Sequence, residues 1–352
     1  MVLEPLALEL LVLIKRKTLL APIALASTYG AAVTRKSSEF RQGYTPDWPT
    51  RAADEVVQIE SRIAEAEVAM FTDYYSFVGR DERGWVAFAI DNNRQRAVDY
   101  YEADHATFMY DGETGFVDIA GYGKYDTADH ALLHVPDPAS FTFERDQTQT
   151  VMQSTTEDLV LSFGELDAHF HDSRPEASIL MGIAPAILSW RGRELTGDII
   201  GERLGFKNFD RRKMGPMLAK QTLSSRSFQG LYLTTEHGEI IYLRASTMQL
   251  GLIDGPSAIG FGRHDDYSGI LNSVTVTADR WRPGPGLFSL PSSWTATWWT
   301  DREYKLTLST VDTKVYSNWG LGAFAMSFTE GTITNPDGSR AKVAGFAELI
   351  IP

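Results

Sequence analysis

Tyr75-Ser76-Phe77-Val78-Gly79-Arg80-Asp81-Glu82-Arg83-Gly84-Trp85-Val86-Ala87-Phe88 reads as strand, polar turn, glycine, strand. Gly230-Leu231-Tyr232-Leu233-Thr234-Thr235-Glu236-His237-Gly238-Glu239-Ile240-Ile241-Tyr242-Leu243 reads the same way, with Glu82 and Gly84 falling on Glu236 and Gly238. The two halves also close alike: Gly192 leads to Ile200-Gly201-Glu202, and Gly338 leads to Phe346-Ala347-Glu348. Matching openings and closings at similar spacing point to duplication of a β unit of about 140 residues. One sheet with that many strands would curl or split, so two closed or nearly closed antiparallel barrels are expected.

The texture outside these runs agrees. From Phe71 onward, short β-branched and aromatic stretches alternate with Gly, Asp and Asn turns. The exception is Arg51 to Met70, where Val56, Ile59, Ile63, Ala66 and Met70 recur at helical spacing and predict a helix. Asp210 to Leu223, basic at first and containing Gly215-Pro216, is the expected linker. The expected division is an apolar N-terminal segment over 1–43, a first barrel over 44–215 and a second over 216–352. In the N-terminal segment, Leu6 to Ile14 and Thr18 to Val33 are largely apolar around Lys15-Arg16-Lys17. Each run falls short of the roughly 20 residues that span a bilayer. A signal, an anchor touching the membrane and a helix docked on the barrels all fit, with a cytoplasmic location favoured.

Composition narrows the function classes. With 352 residues the chain is long enough for two cores, and 43% hydrophobic and 22% charged residues are those of a globular protein. A formal net charge of -13 without a basic stripe opposes binding to nucleic acid. The absence of cysteine removes disulfides, thiol catalysis and Cys-ligated zinc. There is no Gly-x-Ser-x-Gly elbow, phosphate loop or His-Glu-x-x-His helix, and Gly260-Phe261-Gly262 lacks the third glycine of a dinucleotide fingerprint. No cofactor is called for.

Three constellations could carry chemistry. Leu159 to His171 reads as one strand with Glu165, Asp167, His169 and His171 on one face, a solvated barrel exterior in preference to a metal site. Aromatic side chains gather at Trp294, Trp298, Trp299, Tyr304, Tyr316 and Trp319, with Phe324 and Phe328 following. The run Trp319 to Met326 mixes large and small residues, as a strand leaving room on one face would. Tyr74, Phe77, Trp190, Trp298, Trp319 and Phe324 are the expected lining of an apolar pocket. Finally, Glu202 and Glu348 end apolar closing strands at matching places. Burial there would raise their pKa and make them proton donors, unless each is paired with an arginine such as Arg203 or with a neighbouring strand.

The glycine-led closing strands ending in an acid, with Trp319-Gly320-Leu321-Gly322-Ala323-Phe324 and Asp337 to Glu348, resemble the duplicated lipocalin-like proteins of the AttH-like and carotenoid 1,2-hydratase families. The likeness covers about residues 70 to 352. It implies a mostly β chain of two tandem lipocalin-like barrels, associated with isoprenoid or other lipid metabolism. The tryptophan-rich opening of the hydratases is replaced by Tyr74-Tyr75-Ser76-Phe77-Val78-Gly79.

Three functions follow as expectations. The first is binding of a small apolar molecule (a lipid, isoprenoid or polyketide-like compound) in a lumen or between the barrels. The second is a hydratase or cyclase that protonates a C=C bond with Glu202 or Glu348, rings such as Tyr74, Trp190, Trp298 and Trp319 flanking the cation. The third is an adaptor with filled barrels.

Overall fold

The computed structural model describes residues 37–41, 70–96, 101–127, 141–145, 149–174, 177–206, 228–246, 257–264, 267–283, 289–318 and 323–351. Twenty strands follow in chain order. They are β1 (Ser37–Arg41), β2 (Met70–Asp81), β3 (Gly84–Arg96), β4 (Tyr101–Asp111), β5 (Gly115–Thr127), β6 (Phe141–Arg145), β7 (Gln149–Ser154), β8 (Leu159–Gly164), β9 (Asp167–Arg174) and β10 (Ala177–Trp190). The rest are β11 (Arg193–Phe206), β12 (Phe228–Thr235), β13 (Ile240–Ser246), β14 (Ser257–His264), β15 (Tyr267–Ile270), β16 (Asn272–Pro283), β17 (Ser289–Trp299), β18 (Glu303–Asn318), β19 (Ala323–Thr334) and β20 (Arg340–Ile351).

They form two ten-stranded antiparallel sheets. One has the order β5-β4-β3-β2-β11-β10-β8-β7-β6, with β9 also on β10; the other is β1-β16-β17-β18-β19-β20-β12-β13-β14-β15. In both, the closing strand returns to pair with the opening one, β11 on β2 and β20 on β12. This meander, repeated and curled, is the pair of lipocalin-like half-barrels that the sequence leads one to expect. The expected linker and the 215/216 boundary lie outside the described residues, as does the expected helix over Arg51 to Met70 except for its last residue, since Met70 opens β2 as a strand residue. Ser37–Arg41, within the segment set apart as N-terminal, is a strand on β16 of the second sheet.

Three hydrophobic cores explain why some strands alternate and others do not. Tyr75, Phe77, Val86 and Phe88 fill the concave side of the first sheet with Trp190, Leu161 and Phe163. Leu231, Leu233, Ile241 and Leu243 do the same in the second, with Trp294 and Trp298. The third core lies between the sheets, where Tyr74, Val78, Ala87 and Ala89 meet Tyr232, Tyr242, Phe328 and Phe346. Strands β2, β3, β12, β13 and β20 therefore bury both faces and read as near-continuous apolar runs. Peripheral β7 and β8 bury one face only and alternate. Across the junction, Tyr110 stacks on Phe328 with centroids 3.8 Å apart, and Asp198 pairs with Arg263.

Hairpin ends of the first sheet are tied by one buried arginine. Arg193 donates from Nε to Asp81 Oδ2 at 2.8 Å and from Nη1 to Asp111 Oδ2 at 3.1 Å, so three turns share one guanidinium. Its hydrogen bond holds the Asp81 carboxyl below its ordinary pKa.

The stretch Leu159 to His171 is not one strand. It breaks at Glu165-Leu166, and the alternation flips there: Leu159, Leu161 and Phe163 point inward before the break, Leu166 after it. Leu166 takes the inward place against Gly201, where its Cδ1 lies 2.5 Å from the position a Cβ would occupy. Glu165 and Asp167 are exposed, and His169 and His171 belong to β9, His171 opposite Leu180 of β10.

Candidate functional site

Two rows of facing residues build a polar cluster within the junction. On the first sheet, Met181, Glu202, Tyr74, Asp91 and Ala106 lie side by side across β10, β11, β2, β3 and β4. On the second, Met326, Glu348, Gly230, Arg244 and Ile259 do so across β19, β20, β12, β13 and β14. Glu202 and Glu348 are 4% and 6% exposed, so each must find its partners inside the protein. They are not strand ends: β11 runs on to Phe206 and β20 to Ile351.

The partners of Glu202 come from the other sheet. Its Oε1 accepts from Arg244 Nη1 at 2.5 Å and from Tyr242 Oη at 2.8 Å, and its Oε2 lies 3.1 Å from Tyr232 Oη. Arg203, the arginine adjacent in sequence, is not among these contacts. Successive strand residues point to opposite faces, and Arg203 donates its Nε to Tyr75 Oη at 2.7 Å on the far side.

Glu348 Oε2 lies 2.9 Å from the same Tyr232 Oη. A phenol has one hydrogen, so it donates to one carboxyl group and accepts from the other, and only a protonated carboxyl can donate. Burial pushes the Glu348 carboxyl well above the ordinary carboxylate range, and the charges of Asp91 and Glu202 push it the same way. The Tyr232 bond and Arg244 oppose this without reversing it. Glu202 is the acid that accepts the salt bridge from Arg244. Tyr232 Oη thus stands between the two acids, within donating distance of each, and Glu202 is held in turn by Arg244.

The surrounding phenols keep their protons. Tyr74, Tyr232 and Tyr242 are all pushed well above their ordinary pKa, chiefly by burial and then by the nearby carboxylates. For Tyr74 the Ser76 hydroxyl beside it opposes this weakly, without reaching hydrogen-bond geometry. The rings form a wall: Tyr74 to Tyr232 centroids are 4.5 Å apart, Tyr232 to Tyr242 5.1 Å, and Tyr242 stacks on Phe261 at 4.7 Å.

Gly230 makes the arrangement possible. A Cβ there would lie 2.8 Å from Tyr232 Cε2 and 3.0 Å from its hydroxyl, so the missing side chain is the space over which the ring leans back toward both acids. Gly345 is needed for a different reason: its φ is 157° and a Cβ would fall 1.9 Å from the Tyr232 carbonyl oxygen.

Of the expected site residues, the structure brings together Glu202, Glu348 and Tyr74. Phe77, Trp190 and Trp298 are elsewhere, packed into the two concave cores. Phe324 is in β19 opposite Ile350, and Trp319 lies outside the described residues. Sequence reasoning does not single out Gly230, Tyr232, Tyr242 or Arg244, although the first three stand in the quoted second hairpin and Arg244 directly follows it.

No family model and no curated protein matches this sequence. Solved structures do resemble the fold. Kievitone hydratase from Nectria haematococca aligns with a TM-score of 0.53 and 10% identity over 90% of this chain and 97% of its own. An AttH assignment from Nitrosomonas europaea gives 0.49 and 13%, covering 87% and 97%, and CghA with Sch210972 gives 0.46 and 12%, covering 81% and 88%. The duplicated lipocalin-like architecture expected from the sequence is thus the fold of this chain, and kievitone hydratase shares it over nearly its whole length.

Proposed function

We propose that the chain holds a small apolar, unsaturated molecule where its two sheets meet and protonates it with Glu348, so that water or a second C=C captures the cation. A fold alone does not transfer a reaction, and the hydratase name of a fold neighbour is not the argument. The reading rests on one observation: two buried carboxyl groups share one phenol, and among the described residues an arginine bridges only one of them.

The chemistry balances within the chain. The Glu348 proton goes to one alkene carbon and leaves a cation on the other. The hydrogen of Tyr232 then turns from Glu202 to the new Glu348 carboxylate, while Arg244 and Tyr242 keep Glu202 satisfied. The Tyr74 ring, packed against Tyr232 beside the acids, offers a face to the cation, contributing on the order of 0.5–2 kcal/mol. Addition of water releases one proton, which restores Glu348. Capture by a second C=C, followed by loss of a proton, restores it equally.

Incubating the full chain in D2O with a panel of isoprenoid polyenes and conjugated enones tests this by mass spectrometry. Carbon-bound deuterium that depends on Glu348 supports the reading. Stoichiometric retention of a panel member without exchange or product would leave the binding function alone and overturn the acid.

A further inference from the structure

We propose that the cleft where the β4–β5 turn meets β16, β17 and β18 is a second binding site, for an apolar molecule carrying a carboxylate. It stands independently of the acid cluster. The cleft has a volume of about 740 Å³, within the range of roughly 300–1,000 Å³ of small-molecule sites. Its apolar lining includes Phe116, Leu290 and Val315.

Its charges are unevenly committed. Lys314 is paired with Asp118. Arg282 donates Nη2 to Thr313 Oγ1 at 2.8 Å, and that hydroxyl is 2.8 Å from Ser327 Oγ. The guanidinium is therefore oriented by a neutral oxygen, and among the described residues no carboxylate lies within ion-pair distance of it. Among the described residues one of its five N–H donors is used, which leaves the planar fork open to a bidentate anion. Asp312 also lines the cleft, with Oδ1 accepting from the Thr313 amide at 2.7 Å, so the anion belongs on the Arg282 side.

Phe116 supplies the surface for the apolar body. Its ring is partly buried, stacks on Phe346 at 6.1 Å and meets Tyr110 edge-on at 5.3 Å. A hydrocarbon lying on it would extend the aromatic core between the sheets toward solvent.

Calorimetric titration of the full chain with dodecanoate and with dodecanol tests the site. Dodecanoate is expected to bind the more tightly, and Arg282→Glu to weaken it about tenfold while changing dodecanol less than about twofold, the exposed position keeping the effect modest. Glu348→Gln is expected to leave dodecanoate binding unchanged. Equal affinities for acid and alcohol, no binding, or an Arg282→Glu variant that binds like the wild type would overturn the proposal. So would loss of dodecanoate binding in Glu348→Gln, which would move the ligand to the acid cluster.

Discussion

Glu202 and Glu348 project from different sheets, yet both meet the hydroxyl of Tyr232, at 3.1 and 2.9 Å. That single hydrogen serves one carboxylate at a time, and burial pushes Glu348, the acid that Arg244 does not bridge, toward its protonated form.

Glu348→Gln keeps the shape and the ability to donate to Tyr232 but removes the titratable proton. Proton transfer to substrate should fall by roughly 10²–10⁴-fold, the usual contribution of a general acid, with thermal stability at pH 5 within about 1 kcal/mol of the wild type. Full activity in this variant would remove Glu348 from the reaction.

Stability should fall with pH in a window that the same residue sets. A carboxyl with its folded pKa raised binds its proton in the folded state where the unfolded state has lost it, so its contribution is complete below about 4.5 and declines as pH rises toward the folded value. Each pH unit in the window costs about 1.4 kcal/mol. Urea titrations at pH 5, 6, 7 and 8 should show wild type losing stability relative to Glu348→Gln; parallel curves would mean that the acid is charged when folded.

Removing the cation should cost more than removing the pair. Arg244→Met leaves the Glu202 carboxylate buried with hydroxyl partners only and should destabilise the protein by about 3–5 kcal/mol. Adding Glu202→Gln should recover much of the loss. Melting curves for the two single variants and the double one form the cycle that measures it.

Gly230→Ala should act through Tyr232. The new methyl group overlaps the ring, and moving the ring breaks its bonds to both acids, for a cost of about 1–3 kcal/mol. Gly112→Ala, at a turn where a Cβ meets nothing within 4 Å, is the matched control and should be neutral. Equal stability of the two variants would contradict the account of Gly230.

The sequence carried the architecture because the fold is written in short range. The hairpins at Tyr75–Phe88 and Gly230–Leu243 are β2–β3 and β12–β13, and burial on both faces made the strand segments on either side of their polar turns almost wholly apolar. Glu202 and Glu348 stood out for the same reason, as acids inside apolar strands. Their partners did not, because Tyr232, Tyr242 and Arg244 reach Glu202 across two sheets, and no spacing along one chain segment encodes that contact. The repeat also misleads locally. With Glu82 laid on Glu236, Tyr74 matches Phe228, but Glu202 pairs with Tyr74 while Glu348 pairs with Gly230, so the acids are offset by two residues on one face. The run Leu159 to His171 reads as one strand because a two-residue periodicity cannot reveal the break at Glu165-Leu166 that reverses its faces.

The most direct measurement is the protonation state of Glu348 itself, read by carbon NMR of protein labelled at the glutamate δ-carbon, with Glu348→Gln identifying the resonance. The expected result at pH 7 is one protonated carboxyl that disappears in the variant. A Glu348 resonance at the carboxylate position at pH 7 would contradict the account.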